Sequence, residues 1–399
     1  MSWNSVKLGE LYTVHNGLSK GSKSFGSGYP FLTFSTVFNN YFIPPELDSF
    51  VQSSEAERQN YSIKRGDVFV TRTSETSDEL GMSCVALKDY PNATYNGFTK
   101  RMRPFTDRVL PEFIGYYMRM PSFRGEFLAF STMTTRASLK NEDLLGLQIR
   151  LPEKETQKRI ADILSAYDNL VENNQKQIKL LEEAAQRLYK EWFVDLRFPG
   201  YEDTPIVDGV PEGWTLGELG DIAIDSGKKE KKEHRGQYQY YLPIDCLPKR
   251  SLAYTDKNDI TLAESSLAAF MPNDILFGAM RPYFHKVVVA RDKGLTRTTC
   301  FVINSKMPAY WAYLLLLLFS KDTVDYATQI SVGTTMPYVR WKDFIHMPTL
   351  IPPEEKCDAF QAIVLPIIER ISCLAVSSES LIQARDRLLP KLMSGEIEV

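Results

Sequence analysis

The residues of this chain best suited to chemistry with another molecule are arginine, lysine, threonine, serine and tyrosine gathered at the ends of apolar segments. In the first half they form Thr71-Arg72-Thr73-Ser74, Thr99-Lys100-Arg101 and Thr134-Thr135-Arg136. In the second half they form Arg281-Pro282-Tyr283, Thr296-Arg297-Thr298, Thr335 and Tyr338-Val339-Arg340. A guanidinium can hold guanine by two hydrogen bonds, and hydroxyl and ammonium groups reach phosphate oxygens, so the set suits contact with nucleic acid. The same residue types also make ordinary solvated loops, and no single cluster decides between the two. Lys228, Lys229, Lys231, Lys232, His234 and Arg235 are denser, but Glu230 and Glu233 interrupt them. That run reads equally as a flexible loop grazing phosphates and as plain surface. Lys20 and Lys23 occupy the matching place near the start of the chain and carry the same two readings.

Catalytic patterns are missing. The four histidines, His15, His234, His285 and His346, are scattered, with no H-E-x-x-H pair and no G-x-S-x-G elbow. Five cysteines, odd in number and never spaced C-x-x-C, suggest neither disulfides nor a metal site, and read as buried thiols. A methyltransferase acting on a flipped base would need an Asn/Asp-Pro-Pro-aromatic segment. Pro44-Pro45 and Pro352-Pro353 instead follow isoleucine and precede glutamate, as turn or helix-start residues do.

At 43% apolar and 12% aromatic, the 399 residues have the composition of a folded protein with two or three domains rather than a disordered chain. A net charge of −3 gives no global field toward DNA, so a nucleic-acid surface would be local or supplied by a partner. The longest apolar run, residues 309–319, is shorter than the ~20 residues of a bilayer helix. The N-terminus lacks a basic-then-apolar leader, so the expectation is a cytoplasmic protein without membrane attachment.

These clusters need a scaffold, and the sequence supplies one in residues 151–193, which read as a single long amphipathic helix. Leu164, Val171, Ile178, Ala185 and Trp192 fall at a positions of a heptad, and Ile160, Tyr167, Asn174, Leu181 and Leu188 at d. Such a helix is on the order of 60 Å long and exposes an apolar seam that must pair with something. Asn174, the one polar seam residue, either fixes register or sits at a seam end. Ile163, Leu170 and Ala184 at g widen the stripe, which suggests that helices of another chain pack there.

The partner seam lies within the same chain, because the chain repeats itself. Leu8-Gly9-Glu10-Leu11 after Trp3 recurs as Leu216-Gly217-Glu218-Leu219 after Trp214. Lys64-Arg65-Gly66-Asp67 and the strand after it recur as Met271-Pro272-Asn273-Asp274 and its strand, each ending near an arginine, Arg72 or Arg281. Pro111 and Pro308 each open a buried helix. Beyond Ser131 the halves run at a constant offset of 200, pairing Thr134-Thr135, Asp143, Pro152 and Leu188 with Thr334-Thr335, Asp343, Pro352 and Leu388. The second half thus ends in an equivalent helix with Phe360, Ile367, Leu374, Leu381 and Leu388 at d and Val364, Ile371 and Leu392 at a. Ser378 and Arg385 are polar a residues, and Pro366, costing about 3 kcal/mol inside a helix, predicts a kink or restart. The fold class expected is α+β: two globular domains related by a pseudo-two-fold axis and separated by two long antiparallel helices forming a coiled coil. The boundaries fall at 1–150 and 199–350 for the globules, and 151–198 and 351–399 for the helices with the start of the linker. The linker, 195–213, is rich in proline and glycine. Trp192 and Phe193 stand where the first helix meets the second globule.

A chain with two globules, each opening on an aromatic residue and Leu-Gly-Glu-Leu and closing on Thr-Thr, a strand, a Leu/Ile-Pro-x-x-Glu junction and a long helix, resembles the specificity subunit of Type I restriction-modification systems. Glu191-Trp192-Phe193-Val194-Asp195 with Phe198-Pro199-Gly200, Val210-Pro211-Glu212-Gly213-Trp214 and Leu388-Leu389-Pro390-Lys391-Leu392 carry the resemblance, which spans the chain. It implies a subunit without catalytic activity or cofactor, each globule a target-recognition domain reading one half of a bipartite double-stranded DNA sequence. It also implies paired helices that space the readers and dock two modification subunits. Those partners bind S-adenosylmethionine and methylate adenine, and restriction subunits join the full complex. The competing expectations are a self-contained methyltransferase or nuclease, and a structural coiled-coil adaptor whose globules bind proteins.

Overall fold

The computed structural model describes residues 3–74, 79–129, 137–264 and 266–399, and side chains at 73, 74, 137 and 138 lie outside the description. The chain divides into two compact units, 1–169 with 382–399, and 170–381.

In the first unit, Asn4–Lys7 pairs antiparallel with Gln148–Leu151, tying the two ends of the globule together. The main sheet orders its strands Tyr12–Asn16, Thr99–Pro104, Val68–Thr71, Ser83–Val85, all antiparallel. The second unit uses the same plan. Thr215–Glu218 pairs with Pro348–Ile351, and the main sheet runs Ala223–Asp225, Cys300–Ser305, Ile275–Gly278, Val287–Val289.

The repeat extends to single hydrogen bonds in the turn that feeds the central strand. Gly66 and Asn273 both take positive φ, 88° and 70°, a region open to glycine and tolerated by asparagine. The carboxylates of Asp67 and Asp274 each accept the N–H three residues earlier, from Lys64 and Met271, at 2.8 Å. The partners of these carboxylates differ. Fully buried Asp67 forms an ion pair with Arg103 at 2.6 Å, whereas Asp274 accepts the Asn304 amide at 3.0 Å.

The first long helix is Lys154–Tyr189; Leu151, read as its start, ends the preceding strand. The helix closes in a π-turn, Lys190–Val194, with Asp195 N–H donating to Lys190 O at 2.8 Å. Widening the last turn turns the adjacent residues Trp192 and Phe193 inward together, which regular 3.6-residue spacing would resist. Phe193 lies 4.8 Å from Phe360, 4.7 Å from Tyr313 and 5.9 Å from Trp214 between ring centroids, so the helix end is bound to the first residues of the second globule.

The second long helix, Glu354–Ser394, continues through Pro366 without the expected restart. Buried Val364 and Ile368 hold the helix on both sides of the missing N–H. Within the second unit Trp192 meets Phe360 and Asn174 meets Ser378, so the two helices run antiparallel. Within the first unit, Ile160 and Leu164 share a core with Leu389, Leu392 and Met393, in the same sense.

The heptad frame drifts. Ile160, Leu164, Ile178, Trp192, Phe360, Ile371 and Leu374 are buried, whereas Ile163, Tyr167, Val171, Leu181, Leu188, Ile367, Leu381 and Leu388 are half-buried, and Leu170 is exposed. Ile368 is buried in place of Ile367, and Leu389 in place of Leu388. A straight helix turns about 20° per heptad away from a strict 3.5-residue repeat, moving the inner edge from d toward e. The polar seam residues find partners on the facing helix: Asn174 donates to the Ser377 and Ser378 hydroxyls at 3.3 Å, and Arg385 forms an ion pair with Asp168, which flanks the seam.

The expectation of five buried thiols is corrected. Cys84, Cys300 and Cys357 are buried thiols, but Cys246 is half-buried and Cys373 exposed on the second long helix. That helix is also long and apolar enough to cross a membrane, by length and composition. Its apolar residues Phe360, Val364, Ile368, Ile371 and Leu374 belong to the core of the second unit.

Candidate nucleic-acid interface

In the first unit three segments come together at the end of the main sheet. Arg72 N–H donates to Phe98 O at 3.0 Å, Leu139 N–H donates to Arg72 O at 3.1 Å, and Thr73–Ser74 pairs with Ala137–Ser138. Arg72 is half-buried, and Thr135 and Arg136 lie outside the described residues.

Lys100 and Arg101 occupy a different environment from the loop end in which they were read. Both sit in the strand Thr99–Pro104, covered between Tyr12–Asn16 and Val68–Thr71. Arg101 Nη1 donates to Ser62 O at 2.7 Å, with the guanidinium 5.4 Å from the Tyr95 ring centroid, and Lys100 Nζ donates to Asn141. Burial pushes both pKa values down, and the positive charge of Arg72 lowers that of Lys100 further. With their donors turned into the globule, these two residues position the sheet rather than face solvent. Lys20 is held by Glu57 at 2.6 Å, whereas Lys23 is exposed on a single 3-10 turn.

The second unit gathers its candidates more completely. Arg281 N–H donates to Pro337 O at 2.7 Å and its Nη2 to Thr335 O at 3.3 Å. Tyr338 exchanges backbone bonds with Val332, and its hydroxyl reaches Thr298 O at 3.5 Å. Arg281, Thr335, Tyr338 and the residue after Arg297 therefore converge from three distant stretches. Arg297 is exposed at its strand end, Tyr283 is exposed beside Phe284, and Arg340 pairs with Asp343 at 2.5 Å.

Arg281 and His285 both adopt left-handed backbone, φ 51° and 53°. Residues of this size occupy that region only where their surroundings hold them there. Here Pro337 O holds Arg281, while His285 Nε2 bonds Phe319 O at 2.9 Å. By hydrogen bonding, the equivalent of Arg72 is Ala279, whose N–H donates to Thr299 O and whose O accepts from Val339. Arg281 thus stands two residues farther along.

Lys228 and Lys229 are exposed on an edge strand, Lys228–Glu230, and the basic run behind them is tied down rather than flexible. Glu230 accepts from Tyr238, Lys231 N–H and His234, which pulls its pKa down to about 2. Arg235 donates to Thr261 O at 2.9 Å, and Lys232 pairs with Glu264.

Glu182, at an e position beside the seam, was not singled out by the sequence. It is buried, accepts the Ser251 hydroxyl and Leu252 N–H, both at 2.7 Å, and so fixes the second globule to the first long helix. Burial raises its pKa. A glutamate at an e position is ordinary for a paired helix, so its type carries no sequence signal of such a role.

Among the described residues no group of three His, Cys, Asp or Glu side chains is placed to hold a metal. The arrangement is one of donors and strained turns presented at sheet ends, which suits recognition of another molecule.

Comparison with known proteins agrees with this character. Residues 1–183 match the Type I restriction modification DNA specificity domain. Over the full length, the chain is 26% identical to the Type I restriction enzyme MjaIX specificity subunit of Methanocaldococcus jannaschii, covering 100% of this chain and 94% of that protein. It is 23% identical to the HindI specificity subunit of Haemophilus influenzae, covering 99% of each. The crystal structure of the Type I S subunit from M. genitalium shares the fold, with a TM-score of 0.57 at 14% identity over 98% of this chain and 96% of that one. The protein is of the DNA-specificity class. More particularly, the chain belongs to the family of Type I restriction-modification specificity subunits, and is a non-catalytic subunit.

Proposed function

We propose that each globule reads one half of a bipartite DNA sequence, and that the paired helices set the distance between the half-sites and dock two modification subunits. The observation that carries this reading is the doubled plan: one sheet topology built twice, each copy with a basic, hydroxyl-bearing cluster at the sheet end and a long helix at its close. Of the reading set, Lys23, Tyr283, Arg297, Thr335 and Arg340 are exposed and Arg72 and Arg281 are half-buried at the sheet ends, which supports their contact with a duplex. The modification subunits bring S-adenosylmethionine and methylate adenine, restriction subunits join them, and the complex works on cytoplasmic DNA. Leu170, Leu180, Ile363 and Val376, exposed apolar residues of the two helices, support docking there. A helical turn of DNA spans roughly 34 to 36 Å, so half-sites about a turn apart suit helices of this length.

The test is reconstitution with the modification subunits and mapping of methylated adenines. Arg72→Ala and Arg281→Ala should each relax only one half of the recognised sequence, at about 1–3 kcal/mol per lost contact. Both losses appearing in the same half would sink the assignment of one globule to each half.

A further inference from the structure

Phe98 is an aromatic residue held on the surface by the backbone around it. Its side chain is 57% exposed, although it stands directly before the strand Thr99–Pro104 at the centre of the sheet. The turn bearing it is held by several hydrogen bonds. Asn96 Oδ1 accepts Phe98 N–H at 2.7 Å, Asn96 O accepts Thr99 N–H at 3.0 Å and the Thr99 hydroxyl at 2.7 Å, and Phe98 O accepts Arg72 N–H. Asn96 N–H in turn donates to Leu32 O at 3.0 Å. A neighbouring loop closes against the turn so tightly that Gly17 has no room for a side chain and Gly97 abuts the Ser19 hydroxyl. A Cβ on Gly17 would stand 2.0 Å from Asn96 O, and one on Gly97 2.2 Å from Ser19 Oγ.

An apolar ring fixed outward in this way forgoes the stabilisation that burying it would give. Its neighbours indicate what covers it. The Arg72 backbone is bonded to the residue itself, and Ser19, whose hydroxyl faces the turn, belongs to the loop that leads on to exposed Lys23, so a cationic residue and a hydroxyl adjoin the turn that carries the ring. We propose that Phe98 makes an apolar contact to the DNA bases of the half-site read by the first globule, and is a specificity-determining residue of that half. This inference rests on the reading of the globules as DNA readers. A phenyl ring contacts bases in two ways, against a thymine methyl in the major groove or as a wedge in a base step. Both read sequence without a hydrogen bond, which is why a search for arginine and hydroxyl clusters passed over it.

Phe105 provides a built-in control. It is 60% exposed and follows the opposite end of the same strand, where its N–H donates to Leu11 O. The experiment uses the complex reconstituted with its modification subunits, with methylation mapped over a library of DNA sites. Phe98→Ala should lower discrimination about tenfold or more at one or two positions of a single half-site and leave the other half intact. The salt dependence of binding should be unchanged, because no phosphate contact is removed. Phe105→Ala should match the parent protein. Deoxyuridine in place of thymine that reproduces the Phe98→Ala loss at the same position supports contact of the ring with a thymine methyl. An unchanged methylation profile for Phe98→Ala, or equal loss in both variants, overturns the inference while leaving the bipartite reading in place. If the parent complex itself methylates no bipartite site, the underlying reading fails and takes this one with it.

Discussion

In the first globule the buried carboxylate of Asp67 meets a guanidinium; at the same place in the second, Asp274 meets a carboxamide. The backbone of the turn is the same in both, down to the N–H that each aspartate accepts. What was kept is the hydrogen bond that shapes the turn, and what was free to change is the residue across the sheet, Arg103 or Asn304. The two solutions differ in what they risk. An ion pair at a buried site is strongly interdependent, since either charge alone is costly there, whereas a carboxylate with an amide partner depends less on any one contact. Burial raises the pKa of Asp274, and the hydrogen bond to Asp67, helped by its charge, raises that of Arg103.

The sharpest break of this comparison is removal of the partner. Arg103→Ala leaves Asp67 charged and buried, and should destabilise the protein by about 3–5 kcal/mol. Asn304→Ala removes one neutral donor and should cost about 1–2 kcal/mol. Denaturant unfolding of the two variants measures the difference, and equal losses would mean that the Asp67–Arg103 pair is no more interdependent than its counterpart.

The helix pair repeats the contrast. In the first unit Asp168 joins Arg385 and accepts the Tyr116 hydroxyl, with the Arg385 guanidinium 5.0 Å from the Tyr41 ring centroid. In the second, Asn174 bonds two serine hydroxyls and carries no charge. Arg385→Ala should therefore cost about 1–3 kcal/mol through lost stacking and a carboxylate left with the Tyr116 hydroxyl alone. Asn174→Leu should be neutral or stabilising by up to about 1 kcal/mol while loosening register. Thermal unfolding checks the first effect. Cross-linking of cysteines placed at 174-flanking positions checks the second, and an unchanged set of cross-links would argue that apolar packing alone fixes the register.

These contrasts also show what the sequence could convey. The offset of 200 made both long helices and their proline-led starts legible, because insertions would have destroyed it and packing preserves it. The strand Thr99–Pro104 was hidden. Lys100, Arg101 and Arg103 interrupt the alternation that marks a strand, and their donors find partners only through residues far away in sequence, Ser62, Asn141 and Asp67. Arg72 and Arg281 looked equivalent because each follows an apolar strand, yet bonding places Ala279 opposite Arg72. Exact register depends on strand partners, which a linear pattern does not record. Ile368 in place of Ile367 comes from the mismatch between a seven-residue repeat and a 3.6-residue turn.

The smallest expected effect tests the neutral half of the comparison. Burial raises the Asp274 pKa more than its two hydrogen bonds lower it, so the folded protein holds the proton more tightly than the unfolded chain does. The stabilisation tied to that proton is fully present below the unfolded value, near the ordinary carboxylate range. It is lost as pH rises through the raised folded value. Glu182 and Asp225 are raised by burial as well and contribute in the same direction, so one substitution removes only a share of the slope. Asp274→Asn should keep an acceptor for Met271 N–H while abolishing the titration, so the variant loses less stability than the parent between pH 4 and pH 7, a window on the scale of the carboxylate pKa values. Hydrogen exchange over the strand Ile275–Gly278, followed across that range, isolates the effect to the second globule. A steeper loss in the variant than in the parent would show that the Asp274 carboxylate is favoured in its charged form, which would make the two turns alike after all.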